Sequence, residues 1–481
     1  MDQIVPFVTR GTRQRPFRFV DLFCGVGGFH HALKSLGGEC VLACEIDDKC
    51  RDVYEKAFPD MPRRSFVRDI RDLTRHAPGA LSLSRTTADI AELVPDHDVL
   101  CGGFPCQPFS KSGQQKGFQD KTRGTLFFDI MEIVRAKHPQ FIILENVRNL
   151  VGPRHRNEWQ IILQSLRAEQ YEIGDEPVVL SPHLIPPDCG GAPQIRDRVF
   201  ILAERRSGNK KVPMPRPVQM GRRFFADWDP NRWRIADYLL PDSDIEGVEE
   251  YRLSNEEKTW LEAWDWFVSN IKCESLPGFP IWVHAFNVRA RVPSDAPSWK
   301  RDFLVKNAAF YRQNKDFIDE WLARRWGPSG QSVRDFPASR QKFEWQAKKL
   351  TVSSKRRTLR NLVLQFRPSG IRVKSPTYLP ALVAITQTSV VGPAVANGIK
   401  DYRRLTPAEA AQLQRIPYKS FRQAGVPDRV AYRQLGNAVN VGVVQCAFLA
   451  LTGDRYVPNK LRALMASEDA RRPLFRLLKA N

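Results

Sequence analysis

The sequence predicts an α/β fold: a parallel sheet with helices on both faces, followed by a separate, smaller and irregular domain. Strand-like and helix-like segments alternate over the first 205 residues, and repeated βα units are typical of parallel sheets. From about residue 206 the alternation stops, and ten of the eleven tryptophans lie between residues 228 and 345. Residues 324–400 hold 15 basic and two acidic residues, which sets this region apart from the first.

The elements of the first domain follow from short apolar runs that are bounded by polar or glycine-rich turns. A glycine turn separates the first strand from the first helix. In chain order we predict strands over 17–23, 40–45, 65–70, 96–101, 140–144 and 198–203, and helices over 29–36, 47–58 and 125–137. A helical pattern resumes at Leu405, and the apolar segment 434–444 is expected to pack back on the first sheet.

Composition narrows the class of protein. Of 481 residues, 42% are hydrophobic and 26% charged, which is globular and excludes a disordered tail, a collagen or a disulfide-framed miniprotein. With 74 basic and 53 acidic residues the net charge is +21, which favours a nucleic-acid partner. The nine cysteines form no CxxC pair, so we predict no metal site. The polar N-terminus and the lack of a ~20-residue apolar run predict an intracellular protein with no membrane partner.

The first motif, DLFCGVGGF, runs from a predicted strand through Gly25 and Gly27 into a helix. Glycines at that point let the backbone approach a ligand closely. Glu45 follows Gly25 by 20 residues, at the end of the next strand, where a carboxylate can accept hydrogen bonds from ribose hydroxyls. His30 stands where a dinucleotide fingerprint has its third glycine, so we favour a mononucleoside such as S-adenosylmethionine. A plain glycine turn is the alternative.

Two further motifs carry candidate catalytic groups. Cys106, in CGGFPCQPFS, follows an apolar strand on a loop stiffened by two prolines. A thiol on a rigid loop of a basic protein can act as a nucleophile, whereas the alternative is an inert cysteine. Glu145 directly follows the strand over 140–144, so it should lie near the same edge, unless it is a helix cap or a surface residue.

Two last motifs complete the set. Arg196 and Arg198 alternate in QIRDR, so in an extended segment both side chains point the same way. Such a pair suits an anion or a carbonyl group, or the arginines are exposed and pair with Asp197. In QLGNAVN, Gly436 and Asn437 form a turn and helix cap, or they close the cofactor pocket.

Taken in order, these motifs resemble the bacterial-type DNA (cytosine-5)-methyltransferases. The resemblance also covers the stretches GQQKGFQDKTRGTLFFDI and RRLTPAEAAQLQRIP. It implies a Rossmann-like S-adenosylmethionine-dependent methyltransferase sheet with a separate, smaller irregular target-recognition domain. It also implies methyl transfer to C5 of a flipped-out cytosine in a specific double-stranded DNA sequence, through a covalent adduct between the cysteine and C6.

The resemblance assigns roles to single residues. Cys106 would add to C6, Glu145 would assist at N3, and Arg196 and Arg198 would hold the cytosine O2 and phosphate. The family often has a tryptophan where Ile46 stands, which weakens adenine stacking. The implied cofactor-binding residues are Phe23, Gly25, Gly27, Glu45, Ile46, Asp69, Ile70, Pro105, Leu126, Asn437 and Ala438.

The resemblance also divides the chain by function. Its domains are a catalytic and cofactor-binding domain (1–205), a target-recognition domain (206–400), a hinge (401–433), a return to the catalytic domain (434–451) and a tail (452–481). Base readout is expected from a few side chains of the second domain, and the alternative is that these contact only phosphates. The expected DNA-binding residues are Arg372, Lys374, Thr377, Ser110, Gln114 and Arg123. The last two belong to the segment 111–123, which resembles the family's mobile loop, with glycines as its hinges.

The implied partner is double-stranded DNA. The enzyme is expected to be a monomer in the bacterial cytoplasm, either the modification half of a restriction–modification pair, with its endonuclease encoded nearby, or a solitary methylase. One alternative keeps the chemistry but acts on tRNA or rRNA, and the large basic domain argues against it. Another is a DNA-binding regulator that has lost catalysis, which predicts a broken motif, yet Cys106 and Glu145 are both intact.

Overall fold

The structure is a computed structural model, and it describes residues 16–76, 84–105, 126–206, 228–347, 357–382 and 389–453. The chain divides into two compact units. The first consists of Met1–Asn231 together with Ala411–Asn481, and the second of Arg232–Ala410. The predicted domain boundaries at 205/206 and 400/401 do not coincide with the limits of these units. They describe a division by function and stay predictions, and residues 207–227, next to the first boundary, lie outside the described part.

Up to residue 206, the described part of the first unit contains nine strands and six α-helices. The strands are β1 (Arg18–Leu22), β2 (Glu39–Cys44), β3 (Phe66–Val67), β4 (Val99–Gly103), β5 (Phe141–Val147), β6 (Tyr171–Ile173), β7 (Val178–Leu180), β8 (Gln194–Ile195) and β9 (Arg198–Arg205). The helices are α1 (Gly28–Ser35), α2 (Asp48–Ala57), α3 (Arg71–Thr74), α4 (Thr87–Leu93), α5 (Leu126–Lys137) and α6 (Arg156–Ala168).

The main sheet confirms the Rossmann-like prediction. Its order is β3-β2-β1-β4-β5-β9-β6, with β7 also paired to β9. β1 to β5 run parallel to one another. The sheet order reverses between β1 and β4, and ligands of such folds bind outside the carboxyl ends of the strands at this point.

One prediction about the sheet is wrong. β9 lies antiparallel to β5, and β6 and β7 lie antiparallel to β9, so residues 198–203 do not close a fully parallel sheet. An apolar run indicates a buried strand but carries no information about its direction. The short strands β6 and β7, which lead into β9, were not predicted at all.

The second unit is more regular than predicted. Its helices are α7 (Asn255–Asn270), α8 (Ser298–Gln313) and α9 (Lys315–Ala323). Its strands are β10 (Ile281–Trp282), β11 (Lys342–Trp345), β12 (Val363–Arg367), β13 (Gly370–Lys374), β14 (Leu379–Pro380), β15 (Ser389–Val391) and β16 (Arg403–Arg404). Six of these strands form a sheet in the order β10-β11-β13-β12-β15-β16.

Most of the tryptophans in this unit build its core. Trp264 and Trp321 are fully buried, and the Trp264 ring stacks on Phe343 of β11 with centroids 4.6 Å apart. Their indole N–H groups donate to the carbonyl oxygens of Arg340 and Ala263, each at 2.9 Å. The tryptophan-rich composition is therefore explained by packing of helices on the sheet, because buried aromatic rings contribute large apolar areas.

A buried ionic cluster links the start and the end of the second unit. Arg403 is fully buried, and its guanidinium pairs with Glu409 at 2.8 Å and with Asp242 at 3.1 Å. Arg252 pairs with the second oxygen of Asp242 at 2.7 Å. Burial alone would raise the pKa of Asp242, but hydrogen bonds from the Lys400 amide and from Arg252 hold it below its ordinary value. Every charge in the cluster therefore has a partner, as buried charges require.

Four helices end the described chain: α10 (Pro407–Gln414), α11 (Lys419–Gln423), α12 (Asp428–Asn437) and α13 (Val441–Thr452). α13 packs on α1, β5 and β9, as predicted for the segment 434–444. By length and composition alone Asp428–Thr452 could cross a membrane, contrary to the expectation from the sequence. However, 83% of its most apolar window is buried inside the protein, as in a core helix.

Candidate active site

A cavity of about 450 Å³ lies at the carboxyl ends of β1, β2, β4 and β5. Its size falls within the roughly 300–1,000 Å³ range of small-molecule sites. Ten of the eleven predicted cofactor-binding residues line the cavity: Phe23, Gly25, Glu45, Ile46, Asp69, Ile70, Pro105, Leu126, Asn437 and Ala438. The candidate catalytic residues Glu145 and Arg198 also line it.

Glu45 is fixed at the cavity by two backbone amides. Its Oε2 accepts a hydrogen bond from Gly25 N–H and its Oε1 one from Asp47 N–H, both at 2.8 Å. Burial raises the pKa of the carboxyl above its ordinary value, although these amides oppose the shift. A carboxylate oxygen has two lone-pair sites, so Glu45 keeps the capacity to accept hydrogen bonds from a ligand.

Gly27 does not line the cavity, and packing explains why a glycine is required at this position. It adopts φ +86°, in the left-handed region, and a Cβ there would lie 2.4 Å from the Phe58 ring. That ring is itself stacked on His30 with centroids 3.5 Å apart. His30 Nδ1 lies 2.7 Å from the Tyr54 hydroxyl, and burial lowers the pKa of His30 to about 2. The histidine that replaces the third glycine is therefore a neutral core residue.

On the other side of the cavity, Asp69 is held by its neighbour. The Arg71 guanidinium donates to both Asp69 oxygens, with Nη2–Oδ2 at 2.6 Å and Nε–Oδ1 at 3.0 Å. Ile70 is buried beside it, whereas Ile46, at the position of the expected tryptophan, is 55% exposed. Two apolar side chains and a carboxylate thus border the part of the cavity where an adenine is expected.

Glu145 is buried at the cavity and pairs with Arg198. The Arg198 Nε lies 2.9 Å from Glu145 Oε1. Burial raises the pKa of Glu145, and the positive charges of Arg198 and Arg196 only partly offset this effect. Gly103, opposite Glu145 on β4, leaves room for it, since a Cβ there would lie 3.1 Å from Glu145 Oε2. Glu145 is thus suited to carry a proton at higher pH than an exposed glutamate does.

Arg196 does not line the cavity with Arg198. It is 1% exposed, and its Nη2 donates to the carbonyl oxygens of Gly436 at 2.8 Å and Ala438 at 2.7 Å. Burial, together with the nearby charge of Arg198, lowers the pKa of its guanidinium. Its predicted contact with cytosine stays a prediction, and its observed contacts hold the segment that forms one wall of the cavity.

Asn146 is a site residue to which the sequence assigned no role. Its Nδ2 donates to the carbonyl oxygen of Phe104 at 3.0 Å, and its Oδ1 accepts from the Val147 amide at 2.8 Å. The side chain therefore ties the end of β5 to the chain just before Cys106. In the sequence, the only indication of this role was a polar residue directly after Glu145. Its hydrogen-bond partner, Phe104, lies 42 residues away along the chain, so the sequence did not reveal the contact.

Several predicted residues cannot be placed at the cavity. Cys106, Ser110, Gln114 and Arg123, and the glycine hinges of their loop, lie outside the described residues. Arg372, Lys374 and Thr377 belong to the second unit. In the described chain, no group of three or more His, Cys, Asp or Glu residues is arranged to hold a metal ion.

In unit 2, Arg372 is engaged within the sheet. Its Nε lies 2.9 Å from Glu344 Oε2 on the neighbouring strand β11. Lys374 is partly buried on the same strand as Arg372, and burial together with the charges of Arg372 and Arg367 lowers its pKa. The Thr377 hydroxyl lies 3.0 Å from that of Ser375. Arg372 and Lys374 therefore place two cationic side chains on β13, one of them paired with a carboxylate.

A family model described as C-5 cytosine-specific DNA methylase matches residues 17–452. The chain belongs to this family. It is 36% identical to the type II methyltransferase M.AluI of Cellulosimicrobium cellulans over 89% of this chain and 90% of that protein. It is 35% identical to the type II methyltransferase M.HhaI of Haemophilus parahaemolyticus over 48% and 58%. The S. pombe Dnmt2 methyltransferase structure is 16% identical, with a TM-score of 0.47 over 90% of this chain and 98% of that one.

Membership gives the activity. The protein is a DNA (cytosine-5)-methyltransferase, and its methyl donor is S-adenosylmethionine. The residues at the cavity fit this donor, because a cavity of suitable volume is lined by the Glu45 carboxylate, by Gly25 and by the apolar side chains of Phe23, Ile46 and Ile70. The buried Gln434 amide also borders the cavity, and it offers a further polar contact.

Proposed function

We propose that this DNA methylase works through a covalent adduct in which Cys106 is the nucleophile and Glu145 the acid. The observation that carries the proposal is the buried Glu145 at the cavity wall, paired with Arg198 at 2.9 Å and next to the residue that holds the chain before Cys106. Three residues of separate strands and loops then act on one base. Nucleophilic catalysis with general-acid assistance needs this proximity.

The steps follow from the chemistry of cytosine, whose C5 is too weak a nucleophile to react unaided. The Cys106 thiolate adds to C6 while the Glu145 carboxyl gives a proton to N3, so that negative charge does not accumulate on the ring. S-adenosylmethionine, when bound, supplies the methyl group that C5 takes. A base then removes the C5 proton, N3 returns its proton, and the Cys106–C6 bond breaks to release the thiolate. Arg198 holds O2 and keeps Glu145 in place.

For the cofactor, we propose that the residues lining the cavity act as the resemblance implies. Glu45 binds the ribose hydroxyls, and Phe23 and Ile46 lie against the adenine. Asp69 and Ile70 border the adenine edge, while Gly27 acts only by shaping the turn. The remaining contacts are assigned to Gly25, Pro105, Leu126, Asn437 and Ala438.

For DNA, we propose that residues 206–400 recognise the target and that the base is flipped into the catalytic cavity. Flipping costs a few kcal/mol of unstacking, which phosphate contacts help to offset. The excess of 15 basic over two acidic residues in 324–400 supports those contacts. Arg372, oriented by Glu344, is the proposed base reader, because a fixed guanidinium can bind a guanine edge with two hydrogen bonds.

We further propose a modification methylase that acts as a monomer in the bacterial cytoplasm. The similarity to a type II methyltransferase over nine-tenths of both chains supports the pairing with a restriction endonuclease encoded nearby. Such a partner is functional, since both enzymes address the same DNA sequence without binding each other. A solitary methylase remains the alternative outcome of a genomic search for the endonuclease.

The deciding experiment measures transfer of labelled methyl from S-adenosylmethionine to unmethylated genomic DNA and to total tRNA, with Cys106→Ala in parallel. We expect 5-methylcytosine in DNA with the natural protein and none with the variant, whose DNA binding is retained. Methylation by Cys106→Ala would contradict the nucleophile assignment. Label in tRNA alone would contradict the proposed DNA substrate.

A further inference from the structure

Arg51, on α2, uses its guanidinium to join the ends of two strands. Nη1 donates to the carbonyl oxygens of Glu45 at 3.1 Å and Val67 at 2.9 Å, and Nη2 donates to that of Phe66 at 3.0 Å. Its guanidinium carbon also lies 3.9 Å from the centroid of the Phe66 ring. Three carbonyls and one aromatic face thus hold a single half-buried cation.

The atoms that Arg51 contacts belong to the two segments that border the proposed adenosine site. Glu45 directly follows β2, and its carboxylate is the proposed ribose ligand. Val67 ends β3 and is followed by Asp69 and Ile70, which line the opposite side of the cavity. β2 and β3 pair in parallel, Ala43 with Phe66 and Cys44 with Val67, and the Glu45 amide donates to the Val67 carbonyl oxygen at 3.2 Å. Arg51 adds three side-chain hydrogen bonds where this strand pairing ends.

The chemistry explains why an arginine stands here. Its planar fork can reach several carbonyls at once, while lysine offers a point charge on a flexible chain. Arg51 forms no ion pair among the described residues, and its guanidinium donates to main-chain carbonyl oxygens instead. The contacts therefore fix backbone geometry and do not bind substrate.

We propose that Arg51 is a positioning residue for the methyl donor, setting the separation between the Glu45 carboxylate and the Asp69–Ile70 segment. This inference rests on the proposed cofactor site. The cytosine pocket should be unaffected by Arg51, since Glu145 and Arg198 lie on other strands, β5 and β9. Loss of Arg51 should thus weaken cofactor binding and leave the chemical step nearly unchanged.

The test measures the Kd of S-adenosylhomocysteine by calorimetry and the KM and kcat for S-adenosylmethionine, for Arg51→Met, Arg51→Lys and the control Lys49→Met. Lys49 is exposed on the same helix, and its ion pair among the described residues is with Asp52, at 3.5 Å. For Arg51→Met we expect Kd and KM to rise roughly tenfold or more, since hydrogen bonds from a charged donor are lost, with kcat within about threefold. Arg51→Lys should be intermediate, and Lys49→Met unchanged.

The outcomes separate this inference from the proposal beneath it. If the natural protein binds no S-adenosylhomocysteine, the proposed cofactor site fails. If it binds while folded Arg51→Met binds equally well, or loses kcat with KM unchanged, the positioning role is overturned. Should Arg51→Met not fold, Arg51→Lys decides, because natural affinity in that variant would show that the fork is not needed.

Discussion

The side-chain amide of Asn146 donates a 3.0 Å hydrogen bond to the carbonyl oxygen of Phe104. The bond joins the end of β5, which carries Glu145, to the end of the segment after β4, which leads to Cys106. Phe104, two residues before Cys106 in the sequence, is therefore fixed relative to the strand of Glu145. An amide does this without adding a charge beside Glu145.

Asn146→Ala is expected to lower kcat by tenfold or more, because loss of a buried hydrogen bond of about 1–3 kcal/mol frees the chain before Cys106. Single-turnover methyl transfer measures the effect. Binding of S-adenosylhomocysteine should stay within a few-fold of the natural value. The exposed Asn157 on α6 provides the control Asn157→Ala, and equal rates in both variants would refute the role of Asn146.

The raised pKa of Glu145 predicts how kcat/KM for DNA depends on pH. The acid acts in its protonated form, so activity is retained below the folded pKa of Glu145 and is lost as pH rises through it. Arg198 lowers that pKa. Arg198→Met should therefore move the alkaline fall to higher pH while lowering the maximum, because a contact with the base is lost.

Glu145→Gln is the companion measurement. It removes the titrating carboxyl, so the alkaline fall should vanish, and the rate should drop by about 10²–10⁴-fold, as for loss of a general acid. A fall at the same pH in this variant would assign the titration to another group.

Gly27→Ala should destabilise the first unit by roughly 2–4 kcal/mol, the sum of backbone strain and overpacking. The new methyl group would meet Phe58 at 2.4 Å, and this ring is stacked on His30. Gly37→Ala is the matched control, because Gly37 has φ +91° but nothing within 4 Å of its Cβ position. Thermal unfolding of both variants gives the steric part as their difference, and no difference would contradict the packing argument.

Arg403→Met should cost about 3–5 kcal/mol, because it leaves the buried Glu409 without its paired cation and removes one of the two arginines that pair with Asp242. Lys306→Met, which removes an exposed helical pair with Asp302 at 2.6 Å, should cost only about 0.3–0.5 kcal/mol. Urea unfolding measures both. Similar midpoints for the two variants would mean that the buried cluster contributes no more than a surface pair.

The sequence predicts the fold and much of the cavity because the evidence for both is local. Buried parallel strands appear as apolar runs such as FRFVDLF and CVLACE, and the side chains at their carboxyl ends meet at one edge of the sheet. That is why Phe23, Glu45 and Glu145 come together as expected. The direction of β9 had no such signal, since an apolar run reads the same both ways.

The remaining differences arise from partners far away in the chain. Arg196 and Arg198 alternate as predicted, but the carbonyls that bind Arg196 lie 240 residues further on. His30 stands where a dinucleotide fingerprint has a glycine, and its stacking on the Phe58 ring explains why a histidine is there. The strands of the second unit were not predicted, although KFEW in β11 and IRVK in β13 do alternate polar and apolar residues. Runs of four or five residues, without the βα repeats of the first domain, are too short to indicate a sheet by themselves.

The wall of the cavity formed by Asn437 and Ala438 has a consequence for protein synthesis. A ribosome that has completed β9 has made every strand of the first sheet, but this wall follows only after the whole second unit. At about 5–20 residues per second, the delay between Arg205 and Thr452 is roughly ten to fifty seconds. A nascent chain that ends just after the second unit therefore contains the whole first sheet but lacks the Asn437 and Ala438 wall of its cavity.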